Sequence, residues 1–466
     1  MNTWNSSLTT LVGEFIDPIL NGQRKLKKNY TVYCNSNNRV YGIPLFGKYI
    51  YKFNPDDKSC TKIDIPQIEP DLQLVGGVEN GKGCIYCAAI WKKMLTTRAK
   101  RMFGLVKIDT TREDAVTVLG PHPCPSILCT TRGVLALDGN IYYMPRGRCG
   151  KVLKLNTDSD TFEEVGQIVE NGYSWACLGK DGCIYGIPRE IKKIVKYNPV
   201  TGITSLVGEK YTKNFDCECN GALAKNGCIY AFSSLHNWIL KIDTNEHGEN
   251  DTFVAWELIT NFSIDEDSPY NLYGEAIMGL DGCIYWPPLD ANHTLKHDPL
   301  DGQTSCVGTN FGTLILKYYG GALAQDGVIY CIPWNAATIL AIDPFRVFEE
   351  TVDYYIERYP ERFGCGLFDD NGRGITFFDS AINTYGRRGF EAVIRLLPKP
   401  GVLKNRELYP YVEAALCPNS ALSVVYYLLR QAPAQILTTT IPCNIVGSHS
   451  DDDTPLKKKQ RIHGVV

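Results

Sequence analysis

Side chains able to do chemistry are thinly spread along this chain. The densest set is Ile90-Trp91-Lys92-Lys93-Met94-Leu95-Thr96-Thr97-Arg98-Ala99-Lys100-Arg101, where Lys92, Lys93, Arg98, Lys100 and Arg101 surround Trp91. Ammonium and guanidinium donors around an indole suit an acidic or phosphorylated protein segment, with nucleic acid the weaker fit. A solvated loop with Trp91 folded back is the bland reading of the same residues. Near the end of the chain, Asp451-Asp452-Asp453-Thr454-Pro455 precedes Leu456-Lys457-Lys458-Lys459-Gln460-Arg461. Lys457, Lys458, Lys459 and Arg461 have the pattern of a monopartite nuclear import signal, set against a solvated charge run. Ser450, ahead of the three aspartates, has the pattern of an acidophilic kinase site.

Catalytic signatures are missing from the sequence. There is no H-E-x-x-H, G-x-S-x-G, Walker A or G-x-G-x-x-G. The seven histidines, His122, His236, His247, His293, His297, His449 and His463, are dispersed. Cys217-Glu218-Cys219 and the pair Cys124 and Cys129 lack the second half that a structural zinc site needs. We therefore expect no metal and no cofactor. His297 reads as a satisfied strand residue.

Composition limits the partners. Over 466 residues, 44% are hydrophobic and 21% charged, enough apolar material for a core and too much for a disordered chain. The net charge of -3 argues against a globally basic nucleic-acid binder. The N-terminal residues lack a basic start followed by an apolar stretch, and no apolar run approaches the ~18–20 residues of a membrane span. The expected setting is intracellular, cytoplasmic or nuclear, without membrane contact. The eighteen cysteines are then expected to be reduced. Sequons at Asn5, Asn29, Asn250, Asn261 and Asn292 carry little weight in an Asn-rich chain.

The architecture comes from a repeat. A turn followed by Ile/Val-Tyr recurs seven times, ending at Tyr41, Tyr86, Tyr142, Tyr185, Tyr230, Tyr285 and Tyr330. Asp-Gly or Asn-Gly, as in Asp181-Gly182-Cys183-Ile184-Tyr185, supplies the positive φ of a tight hairpin. Five copies place a proline three residues past the tyrosine (Pro44, Pro145, Pro188, Pro288, Pro333), where it ends a strand. A second strand ends in an Asx turn, as in Val195-Lys196-Tyr197-Asn198. A third closes most units with Val/Leu-Gly: Val75-Gly76, Leu119-Gly120, Val165-Gly166, Val207-Gly208 and Val307-Gly308. Ahead of each turn lies a fourth strand of small residues, as in Gly76-Gly77-Val78 and Gly320-Gly321-Ala322.

Four short strands per ~45 residues is the period of a β-propeller blade. The seventh unit lacks its closing strand, and Leu8-Thr9-Thr10-Leu11-Val12-Gly13 is an orphan copy of one. The expected fold is thus mainly β, a seven-bladed β-propeller over 1–350 closed by an N-terminal strand. A small α-helical region over 351–446 should follow, with helices near 377–397, 407–416 and 421–431 and a spacing that resembles one ankyrin-like helix pair. Residues 447–466 are expected to be a disordered tail.

A propeller directs attention to the mouth of its axial channel, fed by loops entering each inner strand and by loops after each proline. Trp175, Asn220, Tyr273, Glu275, Asn292 and Asn335 are the channel-mouth candidates. Only one is a carboxylate, and acid/base or hard-cation chemistry usually needs more. The recurring Asp138, Asp181, Asp281 and Asp326 are explained by turn chemistry.

The tandem unit resembles β-propeller repeats of the Kelch, NHL and quinoprotein-like kind over roughly residues 1–350. It departs from the regular Kelch double glycine and has no WD dipeptide. D-G-x-I-Y-x-x-P also resembles propeller proteins of protists, some with helical C-terminal extensions. The resemblance implies an architecture and no activity. The leading expectation is a non-enzymatic, monomeric protein-interaction scaffold that binds through loops at the channel-mouth face. The rival is a channel-mouth hydrolase of the metal-dependent lactonase or sugar-ester sort.

Overall fold

The computed structural model describes residues 8–14, 29–45, 47–65, 72–91, 102–123, 132–145, 150–169, 173–188, 193–207, 221–233, 238–245, 256–260, 272–346 and 381. The expected C-terminal helices and tail, with Ser450, Lys457, Lys458, Lys459 and Arg461, lie outside the described residues. So do Lys92, Lys93, Arg98, Lys100, Arg101 and Asn220.

The described strands form seven four-stranded antiparallel sheets. Strand β1 is Thr9–Glu14. Blade one holds β2 (Asn29–Cys34), β3 (Arg39–Pro44), β4 (Tyr49–Phe53) and β5 (Cys60–Asp64). Blade two holds β6 (Leu72–Glu79), β7 (Cys84–Trp91), β8 (Met102–Asp109) and β9 (Ala115–Pro123). Blade three holds β10 (Val134–Leu135), β11 (Ile141–Tyr143), β12 (Gly150–Asn156) and β13 (Thr161–Val169). Blade four holds β14 (Tyr173–Leu178), β15 (Ile184–Pro188), β16 (Ile194–Tyr197) and β17 (Thr204–Val207). Blade five holds β18 (Ala222–Leu223), β19 (Cys228–Ser233), β20 (Trp238–Asp243) and β21 (Trp256–Ile259). Blade six holds β22 (Ile277–Met278), β23 (Ile284–Trp286), β24 (Thr294–His297) and β25 (Thr304–Val307). Blade seven holds β26 (Ala322–Leu323), β27 (Ile329–Cys331) and β28 (Thr338–Ile342).

Blade seven takes its outer strand from the start of the chain. β1 pairs antiparallel with β28, Leu11 opposite Leu340 and Val12 opposite Ile339. This closes the ring and removes the open edge that β28 would otherwise present. Leu8 and Thr9 are buried there. The seam to blade one is also pinned: the Asn29 side-chain amide donates to the Pro333 carbonyl at 2.9 Å, and the Trp334 indole N–H donates to the Asn29 carbonyl at 2.7 Å. Burial of that Asn29 amide leaves no room for a glycan at its sequon.

One strand assignment from the repeat needs correction. Val75-Gly76 does not close blade one; Cys60–Asp64 does. Val75 and Gly76 belong to the inner strand of blade two, which carries a bulge between Val75 and Val78. The bulge inserts residues that mimic the Val-Gly ending of an outer strand.

The repeat residues form the core. Ile85, Ile141, Ile184, Ile229, Ile284 and Ile329 have no exposed surface, and the tyrosines after them are equally deep. Each such isoleucine contributes about 1.5–3 kcal/mol by leaving water. The repeat cysteines Cys84, Cys183, Cys228 and Cys283 are unbridged thiols, and burial pushes Cys183 up to about 11. His297 is buried, hydrogen-bonded to the Thr304 hydroxyl at 2.8 Å and packed on the Tyr230 ring. Burial also holds its basicity below the ordinary imidazole value.

Candidate functional site at the channel mouth

Two ends of the propeller differ in chemistry, and antiparallel pairing decides which residues reach each. The turn from first to second strand and the turn from third to fourth lie at one end, the floor. The start of each inner strand and the loop after each second strand lie at the other, the mouth.

The floor pairs the repeat tyrosine with a carboxylate in six blades. Each repeat tyrosine faces a third-strand residue across the ladder, lysine in six blades: Tyr185 opposite Lys196, Tyr285 opposite Lys296, Tyr41 opposite Lys52. In blade four the Tyr185 hydroxyl donates to Asp181 at 2.8 Å, Lys196 reaches the same carboxylate at 2.6 Å, and the Cys183 N–H donates to its other oxygen. Burial alone would raise the Asp181 carboxyl. The bonds from Lys196, Cys183 and Tyr185 outweigh it and hold the group below its ordinary value. Turn chemistry thus explains only half of the recurring aspartates; the other oxygen satisfies a buried phenol.

Blades one and two, which lack this aspartate, import one, whereas in blade five the Asn226 side-chain amide donates to the Tyr230 hydroxyl at 3.0 Å and Lys241 pairs with Glu257 of the same blade. In blade one, Tyr41 and Lys52 both use Asp114, from the outer turn of blade two. In blade two, Tyr86 and Lys107 both use Asp160, from the outer turn of blade three. Blade seven has its own Asp326 but Ala341 in place of lysine, and Lys58 of blade one reaches the Tyr330 hydroxyl at 2.6 Å.

The mouth is built on one repeat position whose residue changes from blade to blade, glycine alone occurring twice. Two residues before the inner-strand partner of each tyrosine stand Tyr30, Gly76, Arg132, Trp175, Asn220, Glu275 and Gly320, in blade order. In sequence, this position lies ten residues ahead of the tyrosine in six blades, as in Arg132 before Tyr142, and eleven ahead in blade one.

Two contacts cross the axis at this ring. Arg132 of blade three donates to Glu275 of blade six at 2.8 Å. Trp175 of blade four packs edge-on against Tyr30 of blade one, ring centroids 6.2 Å apart. Tyr319 and Trp334, stacked at 4.4 Å, extend the aromatic cluster from blade seven. The two ring glycines make room for the charged pair. A Cβ on Gly76 would come within 2.8 Å of the Arg132 Cβ, and one on Gly320 within 2.7 Å of the Glu275 Oε2. Burial raises the Glu275 carboxyl above its ordinary value against the opposing pull of Arg132.

Of the sequence candidates, Trp175 and Glu275 stand on this ring; Asn220, ten residues ahead of Tyr230 in sequence, lies outside the described residues. Tyr273 does not join them. Its ring packs edge-on against Phe232 and its hydroxyl lies 3.5 Å from the Cys306 sulfur in the outer strand of blade six, so it serves blade packing. Asn292 and Asn335 belong to the loops after the second strands of blades six and seven. The Asn292 carbonyl accepts the Phe311 N–H, and the Asn335 side chain donates to the Ile315 carbonyl. Tyr30 and Arg132 are marked neither by a turn nor by a proline; their signal in the sequence is the fixed offset from the repeat tyrosine.

Trp91 ends β7 opposite Leu72. β7 and β8 pair for four residues beyond the Tyr86–Lys107 level, up to Ile90 opposite Phe103. Four residues extend a hairpin by roughly 13 Å. Only blade five, with three such pairs, approaches this among the described residues.

Among the described residues, no cluster of three or more His, Cys, Asp or Glu groups could hold a metal ion. No family model matches the chain, and a comparison with curated proteins finds no match. Solved structures do resemble it. A streptogramin B lyase is similar at a TM-score of 0.53 and 13% identity, covering 72% of this chain and 96% of the other. A catalytically inactive variant of virginiamycin B lyase from Staphylococcus aureus, solved with quinupristin, gives 0.52 and 12%, covering 72% and 98%. At that identity the likeness is one of fold: this chain shares the β-propeller architecture of those lyases.

Proposed function

We propose that the protein is a non-enzymatic interaction scaffold whose channel-mouth face takes an acidic or phosphorylated protein segment. The observation that carries this reading is the extended β7–β8 hairpin. It lengthens the blade-two hairpin toward the mouth, and the chain that joins its two strands carries Lys92, Lys93, Arg98, Lys100 and Arg101. A rigid ring presenting a basic loop offers charge-assisted hydrogen bonds without the cost of ordering a whole domain. The carboxylates at hand support the same reading. Asp138, Asp181, Asp281 and Asp326 accept from the repeat tyrosines, and Glu275 is paired with Arg132.

The test compares the full chain with a variant in which Lys92, Lys93, Arg98, Lys100 and Arg101 are glutamine. Both are titrated with acidic peptides, with and without phosphoserine, at low and high salt. The reading expects the wild type to bind, the variant to bind at least about tenfold more weakly, and salt to weaken the wild type. Equal affinity for both proteins would remove the loop from the account.

A further inference from the structure

Two polar groups at the axial ring stay unspent, whereas the repeat tyrosines of the floor are each hydrogen-bonded. Glu275 is 1% exposed; its Oε2 accepts from Arg132, and its Oε1 is buried with no hydrogen-bond partner among the described residues. Arg132 donates from Nε to the Gly77 carbonyl at 3.0 Å and from one Nη1–H to Glu275. The remaining guanidinium donors have no partner among the described residues, and the side chain is 21% exposed. A buried acceptor left unpaired keeps its desolvation cost uncompensated. The fold holds this arrangement with two glycines, Gly76 and Gly320, whose replacement by any larger residue would intrude on it.

Free donors on one partner and a free acceptor on the other define what would fit. The pair is already neutral as a unit. An anion or a cation added to it would leave net charge beside a carboxylate cut off from water, which is costly. A carboxamide adds none: its carbonyl accepts from a guanidinium while its N–H donates to a carboxylate. Tyr30 and Trp175 stand on the same ring and offer planar apolar walls.

We propose that the Arg132–Glu275 pair is a binding site for an uncharged carboxamide at the channel mouth. It goes beyond the scaffold reading and stands without it. The group could arrive on a free small amide or on the side chain of a glutamine or asparagine in a peptide.

Ligand-observed NMR on the full chain tests this with propionamide, propionate and propylammonium as small probes, and with Gly-Gln-Gly and Gly-Glu-Gly as peptide probes. Propionamide should bind, and propionate and propylammonium should bind at least about tenfold more weakly, because a site built around both a donor and an acceptor rejects ligands lacking one of them. Preference for Gly-Gln-Gly over Gly-Glu-Gly would assign the site to peptide side chains; binding of propionamide alone would assign it to small amides. Glu275→Gln should weaken propionamide at least about tenfold while retaining a cooperative thermal transition. Should that variant fail to fold, the selectivity series on the wild type decides. Propionate binding as tightly as propionamide, absence of binding by every probe, or an unchanged affinity in Glu275→Gln would each overturn the proposal.

Discussion

Floor and mouth are made of the same blades, yet they treat charge in opposite ways. On the floor one solution is reached repeatedly: a phenol and a carboxylate, joined in several blades by an ammonium, borrowed from the next blade where the local residue is missing. At the mouth the residue at one equivalent position changes from blade to blade, glycine apart, and the Arg132–Glu275 pair there leaves an acceptor unsatisfied among the described residues. A structural need shared by seven blades is met with a carboxylate in six and with the Asn226 amide in blade five. A feature present once answers to something that is not part of the ring.

The largest expected effect sets a mouth glycine against a floor glycine. Gly76 and Gly139 both have positive φ, but a Cβ would strike Arg132 at the first and meet open space at the second. Gly76→Ala should cost about 3 kcal/mol, combining left-handed strain with overpacking, and Gly139→Ala about 1 kcal/mol. Urea unfolding measures both, and equal costs would contradict the crowding assigned to the mouth.

Next comes the floor itself. Asp181→Ala strips the acceptor from the buried Tyr185 hydroxyl, from the Cys183 N–H and from the half-exposed Lys196. We expect a loss of about 2 kcal/mol in the same assay. A cost under about 0.5 kcal/mol would show that the trio is ornamental.

Acid should separate the two regions by sign. Asp181 and Asp138 are held below their ordinary 3.8, so their contribution is present above that value and lost as pH falls through the depressed one. Glu275 is raised above its ordinary 4.5, so the fold favours its neutral form; its contribution is present below 4.5 and lost as pH rises through the raised value. Relative to wild type, Asp181→Asn should therefore fall behind, and Glu275→Gln should gain, as pH rises from about 3 to 8. Urea midpoints along that series would refute the contrast if both variants moved the same way.

The smallest effect concerns the borrowed cation of blade seven. Lys58→Met should cost about 0.5–1 kcal/mol, since the lysine is exposed although its tip meets the Tyr330 hydroxyl. Ala341→Lys, which restores the lysine that six other blades place opposite the tyrosine, should recover part of that loss in thermal unfolding.

Sequence reading reached the ring because its signals are local. Asp-Gly turns, the Ile-Tyr strand and the orphan Leu8 to Gly13 copy each follow from backbone conformation within a few residues. It failed at Val75-Gly76, where a bulge imitates a strand ending, and at the borrowed Asp114 and Asp160, whose partners lie in another blade. At the mouth, Trp175 and Glu275 were legible as residues of the segments entering the inner strands. Arg132 and Tyr30 were not, because what unites them with Glu275 and Trp175 is a position in the register, and their contacts run across the axis rather than along the chain.

Peptide affinity in paired variants tests the division of labour most directly. An acidic phosphopeptide that binds the wild type is titrated into folded Asp181→Ala and into the variant with its five blade-two cations replaced by glutamine. The account predicts wild-type affinity for the first and at least about tenfold weaker binding for the second. Weaker binding to the floor variant, with the loop variant unaffected, would contradict it.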